Sequence, residues 1–500
     1  MKKLLIGAHF GGHDLNVSLY DGKNFKYLHD ERISTVKNAN LESLDKALHY
    51  VKNWIGSHGY DVSNILSIAC TIGERSGVNS FPENEQTLVS KKNLFVDIDC
   101  YQIDHHYAHA LSSFPLTNTS NHYVNDGHGD WHKYLSIFKK DILTNYLKEG
   151  LNGNSFGWLL EELCETIKLG TWRDVGKLMG LIGYGKIDYK YIDKYKDQDL
   201  EHSHVYSHVR EFIRYTYSKG IFDQTNEFFH SSNYVATFHK LYEEKFLNYL
   251  KKHFKKTDVF SYSGGIAQSI VLNTEYKKIF PNMITLPHAN DSGLSLGCVE
   301  WLRRFNQYDP IDVGPFPFIQ ADEHPGDVSD DTIKKTAELL AQNKIVLWYQ
   351  GHGEIGPRAL GNRSILMNPM AEKKELNRRV KKREWFRPYG ASVLENEYKE
   401  YFDLDWVSPY MLYNSKVTTH KFPAITHEDG TCRIQTVSEN HEKYYSLLSE
   451  FKKLTGYSVL LNTSFNLQGS AIVGKVSHAM EVFDKTDADV LVLGDEIITK

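Results

Sequence analysis

Asp104-His105-His106-Tyr107-Ala108-His109-Ala110 is the stretch to which the rest of this 500-residue chain brings its reactive groups. A helix turns once per roughly 3.6 residues, so His105 and His109 project from one face with Cβ atoms about 5–6 Å apart. That spacing suits two imidazoles on one metal ion, provided carboxylates converge on them. A pair taken from 24 histidines more often caps or packs, so the metal reading depends on the carboxylates. Iron, manganese or zinc would suit such a donor set.

Working outward, the chain before the histidines opens on a buried strand pattern, Leu4 to Gly7. A second strand from Leu15 to Tyr20, the Asp21-Gly22 hairpin signal and a third strand from Phe25 to His29 follow. Leu41, Leu44, Leu48, Val51 and Ile55 recur at helical spacing, and strands are expected at Ile65 to Ile72 and Leu94 to Ile98. After the histidines the opening pattern returns. His122-Tyr123-Val124 runs into Asp126-Gly127-His128-Gly129-Asp130 and a strand from Tyr134 to Phe138. A strand, an acidic glycine-bearing turn and a strand near the start of each half is the device of actin-like ATPases. Val259 to Tyr262 then leads into Ser263-Gly264-Gly265, where glycines let backbone approach a nucleotide. Met283 to Leu286 leads to Asp291, placed between a strand end and a helix start. Asp126 and Asp291 are the carboxylates the metal reading needs. Residues from about 142 to 250 read as a mostly helical elaboration, with a glycine-rich run from Gly176 to Gly185.

Prolines from Gly314 to Asp327 mark a linker, giving a first domain of residues 1–325 and a second of 326–500. In the second, a helix from Ile333 to Leu340 and a strand from Ile345 to Tyr349 precede Gly351 to Ser364. Arg358 and Arg363 in that glycine-rich loop suit a multiply charged anion, which guanidinium forks bind bidentately. Lys381, Arg383 and Arg387 add cations, and Asn462 to Asn466 is expected to follow a strand from Ser458 to Leu461. The fold class is α/β: two actin-like lobes followed by a twisted-sheet domain. A net charge of −5 gives no global basic footprint for gripping nucleic acid. Five scattered cysteines without Cys-x-x-Cys pairing indicate no disulfide framework and fit a reducing cytoplasm. No membrane segment is expected, and a homodimer is left open.

At this point the chain resembles the O-carbamoyltransferases of antibiotic and nodulation-factor scaffolds. The resemblance is carried by Gly12-His13-Asp14, Glu31-Arg32, the histidine stretch, Asp126-Gly127, Gly264-Gly265 with Asn273, and Asp291-Ser292-Gly293-Leu294. Farther on, Gly356-Pro357-Arg358-Ala359-Leu360-Gly361-Asn362-Arg363-Ser364, Phe386-Arg387-Pro388, Asp429 to Arg433 and Leu461 to Asn466 carry it. Lys381-x-Arg383 and Ser464-x-Asn466 look like paired motifs of threonylcarbamoyl-adenylate synthases. The resemblance implies that the second domain makes carbamoyl-adenylate from ATP, with Mg, and carbamoyl phosphate on Arg358, Arg363, Lys381, Arg383, Arg387, Asn462, Ser464 and Asn466. It implies that the first domain passes the carbamoyl group to a hydroxyl of a sugar, polyketide, nucleoside or hydroxymethylated DNA base. There a divalent ion, iron before manganese or zinc, would sit on His105, His109, Asp126 and Asp291. Gly127, Gly264, Gly265 and Asn273 would contact nucleotide. His13 with Asp14 would activate the acceptor, and Lys37 would balance charge in the transition state. A threonylcarbamoyl-type tRNA modifier and a non-catalytic, nucleotide-switched binding protein are the alternatives.

Overall fold

The computed structural model describes residues 3–37, 44–72, 84–93, 98–148, 155–197, 200 and 226–500. Its framework is three mixed sheets. The first holds β1 (Leu4–Phe10), β2 (Asn16–Tyr20), β3 (Phe25–His29), β4 (Ile65–Ile72), β5 (Val89–Lys92) and β6 (Asp99–Ile103) in the order β3-β2-β1-β4-β6-β5. The first three strands form an antiparallel meander, and β4 and β6 extend it in parallel from β1. Every residue of β1 is buried, as expected of an apolar central strand covered on both faces. At the hairpin, Gly22 takes a positive φ of 91°, and the Asp21 carboxylate accepts the amides of Lys23 and Asn24 at 2.9 and 2.7 Å.

The second sheet repeats the plan. β7 (His122–Asn125), β8 (Lys133–Lys139) and β9 (Ile142–Lys148) form its meander. β10 (Phe260–Ser263) and β11 (Met283–Thr285) join in parallel, in the order β11-β10-β7-β8-β9. A three-stranded meander with parallel strands added beside its first member, made twice in one chain, is the expected actin-like, two-lobed architecture. One expectation shifts: residues 142–148 are not the start of the helical elaboration. Their exposed Ile142 and alternating burial make them the edge strand of this meander. The helices come later, at Phe156–Thr166 and Asn226–His253. The expected helix around Val51 and Ile55 is present as Leu44–Ser57, whereas Leu41 and residues 94–97 lie outside the described residues.

The third sheet has nine strands. They are β12 (Val346–Tyr349), β13 (Arg363–Met367), β14 (Gly390–Leu394), β15 (Phe402–Asp403), β16 (Tyr413–Val417), β17 (Thr431–Val437), β18 (Val459–Ser464), β19 (Val490–Leu493) and β20 (Glu496–Thr499). β18 runs three residues beyond the expected Leu461, because Asn462, Thr463 and Ser464 pair with Leu366, Ile365 and Ser364 of β13. The 325/326 boundary falls in the stretch between helices Leu294–Phe305 and Asp330–Ala341. The two sides are closely joined. Phe386 of the third-sheet part is buried in the core built by Phe228, Leu181 and Tyr242 of the helical elaboration. Asn273 donates to the Leu412 carbonyl at 3.1 Å, and buried Arg32 donates to the Gly356 carbonyl at 2.6 Å.

Candidate functional site

The histidines sit on a helix, His105–Ser112, fastened at its N-terminus. Asp104 accepts the Tyr107 amide at 3.0 Å and the buried Lys133 ammonium at 2.7 Å, and Asp130 accepts the His105 amide at 2.9 Å. Helix Leu294–Phe305 packs directly on it at Gly297, where a Cβ would come within 1.9 Å of the Ala108 carbonyl oxygen. Asp126 stands just past the end of β7. Its Oδ1 accepts the amides of Gly127 and Gly265, each at 2.8 Å, which leaves Oδ2 facing His105 Nε2 at 3.0 Å and His109 Nε2 at 3.3 Å. Asp291 opens the turn before helix Leu294–Phe305, with Oδ1 3.5 Å from His105 Nε2 and 3.3 Å from His109 Nε2.

One ligand atom from each of these four residues lies within 4.8 Å of every other. Atoms bound at about 2.1 Å around one ion are about 3.0–3.4 Å apart; three of the four nitrogen-oxygen spacings fall in that range and the fourth, His105 to Asp291, is 3.5 Å. His109 is fully buried, yet neither ring nitrogen has hydrogen-bond geometry to any described group, a state that coordination would relieve. Burial pushes the Asp126 carboxyl up, but the imidazoles of His105 and His109 outweigh it and hold the group well below the usual carboxylate range. Burial likewise acts on Asp291, and His105 and His13 overcome it. Two imidazole nitrogens and two ionised carboxylates are a donor set for a first-row divalent ion.

His13 and Asp14 border this centre. His13 Nδ1 donates to Asp14 Oδ2 at 3.0 Å and lies 3.6 Å from Asp291 Oδ2, and its ring packs on Trp172 at 5.2 Å. His9, which the sequence patterns did not single out, also belongs here. Its Nε2 is 3.6 Å from Asp291 Oδ2, and its Nδ1 bonds Thr71 Oγ1 at 2.7 Å. The signal was its position near the end of a central strand, immediately before the Gly11-Gly12-His13-Asp14 turn.

The second constellation is a cleft of about 400 Å³ across the junction of the two parts. Arg358, Arg383, Arg387 and Arg433 line it from one side, and Lys37, Arg173, Lys177 and Gly180 line it from the other. Arg387 is paired with Glu384 at 3.1 Å, whereas Arg358 and Arg433 have no acceptor among the described residues. Burial, then Arg387, brings the Arg358 guanidinium down to about 10, and burial followed by Arg358 and Arg387 pushes Arg433 well below its ordinary value. Below the cleft the Lys-x-Arg and Ser-x-Asn pairs meet. Lys381 Nζ donates to Asn466 Oδ1 at 2.7 Å and to the Ser464 carbonyl at 2.9 Å, and Ser464 Oγ donates to Asn466 Oδ1 at 2.8 Å. Asn462 lines the cleft and donates to Ser392 Oγ at 3.0 Å.

Several of the expected residues have partners of their own within the protein. Arg363 does not reach the anion cleft. As the first residue of β13 it is fully buried, pairs with Asp322 at 2.9 Å and lies 3.7 Å from the centre of the Tyr349 ring. Lys37 lines the arginine cleft. The amides of Gly127 and Gly265 are already donated to Asp126, and Asn273 Nδ2 is used by the carbonyls of Ala267 and Leu412. Gly264, at φ 95°, sits where a Cβ would come within 2.2 Å of the Asn125 carbonyl oxygen, so it serves the close packing of strand ends. These contacts hold Asp126 and tie the strand ends to the Leu412 segment. Arg433, Arg173 and Lys177 were missed as site residues. Of the aromatic residues between Phe222 and Tyr242, Phe228, Tyr234, Phe238 and Tyr242 are buried and Phe229 is exposed, and residues 222–225 lie outside the described residues.

A metal-type centre in an actin-like frame, joined to an arginine cleft, defines a group-transferring enzyme. The chain belongs to the carbamoyltransferase family: the model of the carbamoyltransferase N-terminus matches residues 19–299 and that of the carbamoyltransferase C-terminus matches residues 337–500. Nodulation protein NolNO of Sinorhizobium fredii is 28% identical over 97% of this chain and 78% of its own length. Nodulation protein NolO of Bradyrhizobium diazoefficiens is 31% identical over 80% and 79% respectively. Among solved structures, the Acidaminococcus fermentans (R)-2-hydroxyglutaryl-CoA dehydratase component A aligns over 60% of this chain and 97% of its own, with 12% identity and a TM-score of 0.36. Among the described residues no helix is long and apolar enough to cross a membrane.

Proposed function

We propose that this carbamoyltransferase works in two steps, with residues 326–500 and their cleft forming carbamoyl-adenylate and residues 1–325 transferring the carbamoyl group. In the first step water releases phosphate from carbamoyl phosphate. The resulting carbamate oxygen attacks the α-phosphorus of Mg-bound ATP, and pyrophosphate leaves. Arg358, Arg383, Arg387 and Arg433 hold the phosphates, offsetting charge as it redistributes. Ser464 and Asn462 present neutral hydrogen-bonding groups, and Lys381 orders the Ser464–Asn466 pair. The observation that carries this reading is the convergence of Arg358 and Arg433, half-buried and without a counter-ion among the described residues, in one cleft with Arg383 and Arg387. Such a cluster is built for a polyanion.

In the second step the acceptor hydroxyl oxygen attacks the carbamoyl carbon, AMP leaves, and the hydroxyl proton passes to His13. His105, His109, Asp126 and Asp291 would hold a divalent ion, iron before manganese or zinc, which supplies Lewis-acid polarisation when bound. Beside His13 stands Trp172, with Arg173 over its ring at 5.2 Å, and Glu161 is near enough for the imidazole to act on it. Burial, followed by Glu165, raises the Glu161 carboxyl. The Trp172 face supports an acceptor that offers it a ring to pack on, such as a sugar, a polyketide, a nucleoside or a hydroxymethylated base.

The test is AMP and pyrophosphate release from ATP, with and without carbamoyl phosphate, in wild type and Asp291→Asn. Pyrophosphate dependent on carbamoyl phosphate is expected in both proteins, with bound metal falling from about one per chain to near none in Asp291→Asn. ATP consumption indifferent to carbamoyl phosphate would sink the adenylate step.

A further inference from the structure

His29 ends β3 at 2% exposure, yet neither ring nitrogen has a hydrogen-bond partner among the described residues. Nε2 lies 3.4 Å from Asp14 Oδ1, and Nδ1 lies 3.9 Å from Glu31 Oε1. The ring thus faces one carboxylate on each nitrogen. Asp14 is held with φ at 56°, in the left-handed region where an L-residue is strained, and strain of this kind collects where geometry serves function. Its other oxygen accepts the His13 Nδ1 proton at 3.0 Å. Read outward, Glu31, His29, Asp14 and His13 alternate acid and imidazole from the protein interior to the 38%-exposed His13 side chain beside the metal-type centre.

We propose that His29, flanked by Glu31, is a positioning residue for carbamoyl transfer. It holds Asp14 in its strained conformation. Asp14 in turn accepts the Nδ1–H of the His13 ring, so that Nε2 is the nitrogen turned to the acceptor. In the step served, the acceptor O–H bond breaks and its proton goes to His13 Nε2. The oxygen bonds the carbamoyl carbon, and AMP leaves with the electron pair of the broken C–O bond. No proton needs to pass through His29. The inference rests on the transfer role proposed for His13.

Asp14, His29 and Glu31 also offer ligand atoms within 4.8 Å of one another. The nearest carboxylates nevertheless oppose different ring nitrogens, and a single ion takes only one of these. The buried guanidinium of Arg32, whose charge reaches Tyr27 together with those of Asp14 and Glu31, further disfavours a cation.

The test compares His29→Asn and His29→Gln in the full chain with its metal. Glutamine can place an amide N–H where Nε2 stands, and asparagine cannot. A positioned base supplies about 100- to 10,000-fold. His29→Asn is therefore expected to lower kcat of transfer about 10- to 100-fold, with acceptor KM, metal content and carbamoyl-phosphate-dependent pyrophosphate release unchanged, and His29→Gln to recover most of kcat. Independently of activity, 15N NMR of the His13 ring should report the Nδ1–H tautomer in wild type and His29→Gln and a mixture in His29→Asn. Equal kcat and equal His13 tautomers in all three proteins overturn the proposal. So does loss of a second bound metal in His29→Asn, which would make the cluster an ion site. A wild type that makes no adenylate defeats the parent reading alone, since the His13 tautomer still decides the positioning role.

Discussion

Arg358 and Arg363 stand five apart in one motif and have opposite fates. A glycine-rich loop bearing two arginines reads as one anion grip, because residue type and spacing say nothing about which side chain turns inward. Pairing decides it: Arg363 enters β13 opposite Tyr349 and finds Asp322, while Arg358 stays in the loop near Arg433 and Arg387 on one wall of the cleft. Breaking a buried ion pair costs about 3–5 kcal/mol, so Arg363→Met should lower the unfolding midpoint. Arg433→Met removes a cation held against like charges, and it should raise the midpoint of the unliganded protein. The same change should cut pyrophosphate release about 10- to 150-fold, for loss of a charged hydrogen bond worth about 1.5–3 kcal/mol. Melting curves with and without added pyrophosphate check both: the wild type should gain more from the anion than Arg433→Met. An Arg433→Met midpoint below wild type would argue that an undescribed counter-ion already satisfies the guanidinium.

The histidine helix was legible because its chemistry and its period coincide. Four-residue spacing put two imidazoles on one face, and their ring centres are 4.9 Å apart. What holds that helix at the right depth was not legible. Gly297 lies 188 positions from His109 in the chain, and its need for a missing Cβ exists only once helices Leu294–Phe305 and His105–Ser112 touch. Gly297→Ala should therefore act at a distance. Overpacking costs about 1–3 kcal/mol, and the displaced histidine helix should bind metal about 10- to 100-fold more weakly, on the scale of changes to groups that orient ligands. Denaturant melts and metal titration read the two effects together. A stability loss with unchanged metal affinity would show that the helix tolerates the shift.

At the scale of the whole molecule, the arginine cleft belongs to neither half alone. Lys37, Arg173, Lys177 and Gly180 wall it from the first part and the guanidiniums from the second. Trp385 and Phe386 plug the latter into the aromatic core of the helical elaboration. Phe386→Ala should cost about 3–5 kcal/mol as a buried aromatic truncation. It should slow pyrophosphate release while leaving bound metal unchanged, since the metal-type centre is built from the two actin-like lobes. Metal analysis beside the adenylation assay checks this. Parallel loss of both would mean that the two sites depend on one packing unit.

By itself the sequence determined the strand periods, the two hairpin-like openings, the histidine face, the candidate carboxylates and the cationic motifs, because each is a local pattern of residue type and spacing. Only the tertiary structure decided which members of those patterns meet. It spent the amides of Gly127 and Gly265 on Asp126, turned Arg363 into a strut, set Lys37 in the wall of the arginine cleft and brought in His9, His29 and Arg433. The physical reason is that hydrogen-bond donors and charges are claimed by their nearest partners in space. For residues far apart in the chain, that proximity is set by sheet order and helix packing.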